Sequence, residues 1–130
     1  NEPLYPFGYG LSYTDFVYGE LQISSETLPK NGELTVSVTV TNKGNYDGYE
    51  TVQLYLHDIY AEIARPVKEL KGFERVFLKS GESRDVKFVI TEDDLKFYNS
   101  ELHYVYEPGE FDVMVGPNSR DVQTKSFQAK

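Results

Sequence analysis

The chain has 130 residues, room for one domain, and its 39% hydrophobic and 26% charged residues are ordinary for a globular protein, which excludes disorder, a collagen and a coiled coil. A general polyanion binder needs a basic face to neutralise phosphates, so a formal net charge of -8, from 13 Lys+Arg against 21 Asp+Glu, makes nucleic acid and anionic membranes poor partners. Zero Cys removes disulfides, thiolate catalysis, Cys-ligated zinc and iron–sulfur clusters, and no apolar run approaches the ~18 residues of a membrane span.

Residues 1–13 read NEPLYPFGYGLSY. Two Pro and two Gly forbid a regular element, yet Leu4, Tyr5, Phe7, Tyr9 and Leu11 are too apolar for a solvated linker. This is read as an extended interdomain segment, packed across a surface of this domain or of a neighbour, with the domain itself running over 14–130. The start at Asn1, with no basic or apolar leader, is expected of a processed chain or a piece of a longer one. The compartment is not fixed: a periplasmic or secreted setting is favoured, and a cytoplasmic one stays open.

From Thr14 the period is two. Phe16, Tyr18, Leu21 and Ile23 predict a strand with a bulge near Gly19. Pro29-Lys30-Asn31-Gly32 is a turn, and Leu34, Val36, Val38 and Val40 alternate with Thr and Ser as a half-buried strand. A third strand follows over 50–57, with Val52, Leu54 and Leu56 on one face. After a loop at 58–66, Val67 to Leu78 predicts two short strands split near Gly72. Val86, Phe88 and Ile90 form the next strand. Thr91-Glu92-Asp93-Asp94-Leu95 predicts a short helical turn within 91–98, capped by Thr91 and favoured by its acidic start. Strands are expected again at 102–106, around Phe111 to Val115, and at 122–127, with turns at Pro108-Gly109 and Gly116-Pro117-Asn118. Short strands divided by turn signals, with almost no helix, give an all-β antiparallel sandwich. Periodicity alone leaves a small barrel open.

The side chains offer no catalyst. Glycosidase chemistry needs two carboxyls across a cleft, and nothing singles out a pair among the 21 acidic residues. Glu92, Asp93 and Asp94 are explained by the helix start. His57 and Asp58 are strand neighbours and point to opposite faces, and two His without Cys make a zinc site improbable. No catalytic residue, metal or cofactor is expected. The stretch Arg65-Pro66-Val67-Lys68-Glu69-Leu70-Lys71-Gly72-Phe73 is unusual for an acidic chain. It reads either as an exposed strand with weak local ion pairs or as an anchor for a neighbouring domain, where the Arg fork can grip a carboxylate.

Several blocks resemble one family. The opening Pro3-Leu4-Tyr5-Pro6-Phe7-Gly8-Tyr9-Gly10-Leu11-Ser12-Tyr13-Thr14 is similar to the segment leading into the C-terminal fibronectin type III-like domain of glycoside hydrolase family 3 β-glucosidases. Gly48-Tyr49-Glu50-Thr51-Val52-Gln53-Leu54-Tyr55, the 65–73 block, Leu78 with Ser80-Gly81-Glu82, Glu107-Pro108-Gly109-Glu110-Phe111 and Val115-Gly116 continue it in family order. The resemblance implies an immunoglobulin/fibronectin type III-like sandwich of about seven strands, and a parent β-glycosidase that acts with retention from chain ends, whose catalytic residues lie in other domains. None is carried onto this chain. Phe111 departs from the Tyr that such sandwiches often hold after the Pro-Gly turn, so the hydroxyl bond of a tyrosine corner is lost.

The expected role is a non-catalytic accessory domain partnered by the parent's catalytic domains. Pro3, Leu4, Tyr5, Phe7, Tyr9, Leu11, Arg65 and Lys68 are the expected docking residues. The alternative is a carbohydrate- or polymer-binding module, motivated by 11 Tyr and 8 Phe that could stack on sugar rings. An unrelated adhesin-like sandwich is the third reading.

Overall fold

The computed structural model describes residues 15–59, 68–98 and 101–130. The first strand is broken in two, β1 (Phe16–Tyr18) and β2 (Gln22–Ile23), where the sequence predicts a bulge. Both pair with the same strand, β4 (Leu34–Asn42), but Tyr18 faces Val40 while Gln22 faces Ser37, so four steps on one side match three on the other. One extra residue therefore sits between them. The chain then changes sheets: the two-residue β3 (Thr27–Leu28) joins the opposite layer. The turn before β4 closes with the Gly32 N–H donating to the Pro29 carbonyl at 3.0 Å and Asn31 at φ 61, a left-handed position that Asn tolerates. Along β4 every apolar residue is buried and the Thr and Ser between them are not.

The second layer is built on β5 (Gly48–Asp58), which pairs antiparallel with β6 (Glu69–Leu78). Next comes β7 (Ser83–Ile90), along the other edge of β4. The turn between β6 and β7 uses Gly81 at φ 86, where a side chain would be strained. A single helical turn α1 (Glu92–Leu95) follows, then the two-residue strands β8 (Phe97–Tyr98) and β9 (Tyr104–Val105), paired with each other. β10 (Gly109–Gly116) and β11 (Gln123–Ala129) form a hairpin that completes the second layer.

One sheet thus holds β1, β2, β4 and β7, and the other runs β3-β11-β10-β5-β6. Counting β1 with β2 as one strand and setting aside the two-residue pieces, seven strands form the expected sandwich. Its pairing is antiparallel except for β3 on β11, which run parallel. Inward residues of both sheets meet in one core, among them Leu34, Val36, Val40, Val52, Leu78, Val113 and Val115, with Leu95 of α1 closing one side. Each such burial contributes about 1.5–3 kcal/mol. Phe111 stacks on Phe127 at 5.7 Å within this core, so its ring packs without a hydroxyl.

Two strand expectations change, and the helical turn is as expected. Val67 to Leu78 is not two strands: β6 is continuous from Glu69, and the register slips where Leu54 faces Gly72 but Tyr55 faces Leu70, leaving Lys71 as a bulge. The helical stretch within 91–98 is one turn, ended by Lys96 in extended geometry, and the chain is back in a strand at Phe97. The strand expected at 102–106 shortens to two residues.

Two polar side chains hold the frame together. Asn42 is fully buried, with its amide donating to the carbonyls of Tyr46 (2.8 Å) and Leu78 (3.0 Å) and its Oδ1 accepting from the Gly44 N–H. Gln123 of β11 reaches the bulge of the opposite sheet. Its Oε1 accepts from the Leu21 N–H at 3.0 Å and its Nε2 donates to the Gly19 carbonyl at 2.7 Å. One amide therefore meets a donor and an acceptor of the bulged backbone.

Candidate docking face

On β5 the residues Val52, Leu54 and Leu56 face the core, so Tyr49, Thr51, Gln53 and Tyr55 face outward. Register carries this face onto β6: Tyr49 lies opposite Phe77, Thr51 opposite Arg75, Gln53 opposite Phe73, and Tyr55 opposite Leu70. The Lys71 bulge makes this possible. Without it, Leu70 and Phe73, three residues apart, would lie on opposite faces. The result is an outward strip of large apolar side chains: Phe73 is 65% exposed, Tyr49 59%, Leu70 51% and Phe77 39%. The Tyr49 and Phe77 rings meet at 5.0 Å with a tilt of 59°, and the Arg75 guanidinium lies over Tyr49 at 4.1 Å. Among the described residues Arg75 has no ion-pair partner. Tilted rings, one of them capped by a cation, do not make the flat platform on which a sugar ring stacks.

Of the expected docking residues, Pro3, Leu4, Tyr5, Phe7, Tyr9, Leu11 and Arg65 lie outside the described residues. Lys68, just before β6, is half-buried and its Nζ donates to the Ser119 carbonyl in the β10–β11 loop. That bond uses one of its three donors and ties the start of β6 to its own domain.

The acidic turn is structural, as its position in the sequence implies. Asp94 accepts from the Thr91 N–H at 2.9 Å, Glu92 accepts from the Asn31 N–H at 2.7 Å, and Asp93 pairs with Lys96 at 2.9 Å. Among the described residues no three His, Asp or Glu side chains converge as metal ligands. A groove of about 450 Å³ lies between β2 and β11, lined by Glu20, Gln22, Ser25, Glu26, Lys125 and Ser126. It is shallow, and Lys125 pairs with Glu20 across it at 4.0 Å.

One carboxyl differs from the rest. Glu50 sits on the inward side of β5 and accepts from the Tyr18 hydroxyl of the opposite sheet at 2.7 Å. Burial raises its pKa above the ordinary 4.5, although the bonds from Tyr18 and from the Thr51 backbone act the other way. The same burial, with the carboxylate beside it, raises the Tyr18 phenol. The pair bridges the two sheets and reads as a tie between them.

Residues 50–119 match the family model of the fibronectin type III-like domain. The chain is 48% identical over 128 residues to the periplasmic beta-glucosidase of Salmonella typhimurium, covering 98% of itself and 17% of that protein. It is also 48% identical to a putative beta-xylosidase of Formosa agariphila, again over 17% of its length. Among solved structures, a β-glucosidase from Erythrobacter marinus superposes with a TM-score of 0.85 at 40% identity, covering 97% of this chain and 17% of that one. A β-glucosidase mutant from Listeria innocua in complex with laminaribiose gives 0.81 at 45% identity, covering 100% and 18%. An isolated sandwich with a shared core, a family model over its centre and relatives matched along almost all of its sequence have one reading: the chain belongs to the fibronectin type III-like domain family, in the form carried by the β-glucosidases and xylosidases it resembles.

Proposed function

We propose that this domain is a non-catalytic accessory module of a β-glycosidase that cleaves terminal β-glycosidic bonds with retention, and that it stabilises the catalytic domains by packing against them. The observation that carries this reading is the coverage: the whole chain accounts for about 17% of each relative's length, and the rest of those proteins is where their hydrolysis would reside. Residues 1–13 and Arg65 are the proposed contributors beyond the described part, and a periplasmic or exported setting is the proposed compartment.

Deleting the domain from the longer polypeptide tests the reading. The melting temperature or yield should fall, and hydrolysis of an aryl β-glucoside should fall with it. Equal stability and equal activity would overturn it. The exposed Tyr49 and Phe73 favour a second reading, a polymer-binding module, against which the tilt of the rings weighs. Titration with β-glucan, xylan and lignin separates the two, since binding to any of them supports the module.

A further inference from the structure

The exposed strip on β6 takes in Leu70 and Phe73 of the 65–73 block that stands out in the sequence. The described chain begins at Asp15, whose carbonyl accepts from the Lys43 N–H at 2.7 Å. The neighbouring Asn42 amide donates to the carbonyl of Leu78, the residue after Phe77. The first described residue therefore lies toward the Tyr49–Phe77 end of the strip, and Leu70 marks the other end. Ten strand residues span about 33 Å, so the strip runs most of the length of the sheet.

Its chemistry is that of an interface. Phe73, Phe77, Leu70 and Tyr49 are more exposed than scattered surface apolar residues need be, and they are contiguous. Arg75 stands among them with its guanidinium fixed over Tyr49 and with no carboxylate of the described residues to meet. An aromatic cluster around an unpaired Arg fits a partner that is apolar and carries a carboxylate. We propose that this outward face of β6, with Tyr49, docks on the glycosidase part of the same polypeptide, Phe73 and Phe77 entering an apolar patch and Arg75 meeting a carboxylate there. The proposal rests on the accessory reading above and names the face that serves it.

The test uses the longer polypeptide with a photo-crosslinking phenylalanine analogue at position 73 and, as a control, at position 89. Val89 is 53% exposed on the opposite sheet. Crosslinks from position 73 to residues outside this domain, and none from position 89, are the expected result. Crosslinks confined to residues 1–130, crosslinks between two copies, or equal capture from both positions would overturn it. In parallel, Phe73→Ser with Phe77→Ser should lower the melting temperature of the longer polypeptide by several degrees, and Arg75→Glu should do the same to a lesser extent. Val89→Ser should leave it unchanged. If deleting the domain destabilises the polypeptide but the substitutions do not, the accessory reading stands and this face is wrong. If deletion also has no effect, both fall. Retention on insoluble glucan that the Phe73 and Phe77 substitutions abolish would assign the face to polysaccharide instead, and so would overturn the proposal.

Discussion

The two outward faces of this sandwich are built on the same core and look unlike each other. Across the four-stranded sheet, outward Thr and Ser side chains bond to their neighbours: Thr39 donates to Asp85 at 2.6 Å, and the hydroxyls of Thr41 and Ser83 share a 2.6 Å bond. Val17 and Val89 are its exposed apolar residues. Across the five-stranded sheet, the equivalent positions on β5 and β6 carry Tyr49, Leu70, Phe73 and Phe77. A strand needs only one apolar face to build a sandwich. The second apolar face on β6 adds nothing to the core, and it is the face proposed for docking.

The comparison can be broken or sharpened by experiment. The largest effect belongs to neither face: Leu34→Ala, at a fully buried site, should cost about 2–5 kcal/mol in denaturant unfolding, which sets the scale of a core lesion. Next, Gln123→Ala leaves the Leu21 N–H and Gly19 carbonyl without their partner and should cost about 1–3 kcal/mol. A loss near zero would mean that water replaces the amide. Glu50→Gln acts through pH. The folded state holds a proton that the unfolded chain releases near 4.5, so stability falls as pH rises from there through the raised folded-state value. Gln cannot titrate, and the variant's stability should lose that slope. An unchanged slope would show that another group causes it.

Smaller effects probe the faces themselves. Thr39→Ala removes a side-chain bond on the polar face and should cost about 0.5–1 kcal/mol. Phe73→Ser should change the unfolding free energy of the domain by less than about 0.5 kcal/mol, since the ring is mostly in solvent. A loss larger than that of Thr39→Ala would make the aromatic strip part of the domain's own stability and would remove the contrast between the faces.

Much of the fold was legible in the residues. Leu34 to Val40 alternate with Thr and Ser, and nothing in their surroundings overrides that pattern. The bulge near Gly19 was legible because Tyr18 and Leu21 are out of step for a regular strand, and both turn toward the core. The acidic turn at Glu92 to Asp94 was legible as a helix start because Asp94 meets the Thr91 N–H of its own cap. The candidate face was not. Leu70, Phe73, Val76 and Leu78 fit no single strand period, so the sequence divides them near Gly72. Only pairing with β5 shows that Lys71 absorbs the extra step and that the apolar residues serve two opposite faces. Apolar side chains on both sides of an edge strand were the signal, and a one-residue slip hid it. Gln123 was equally silent, because its partners lie more than a hundred residues away.

That distance has a consequence for how the domain is made. The bulged first strand is held by a side chain of the last one, and β3 zips in parallel onto the same last strand, with Thr27 beside Gln128. During synthesis the beginning of the domain leaves the ribosome with its docking site still unmade. It must wait, unpaired along that edge, until β11 emerges. Closing so long a loop is slow, and a strand edge kept waiting is a target for misplaced pairing.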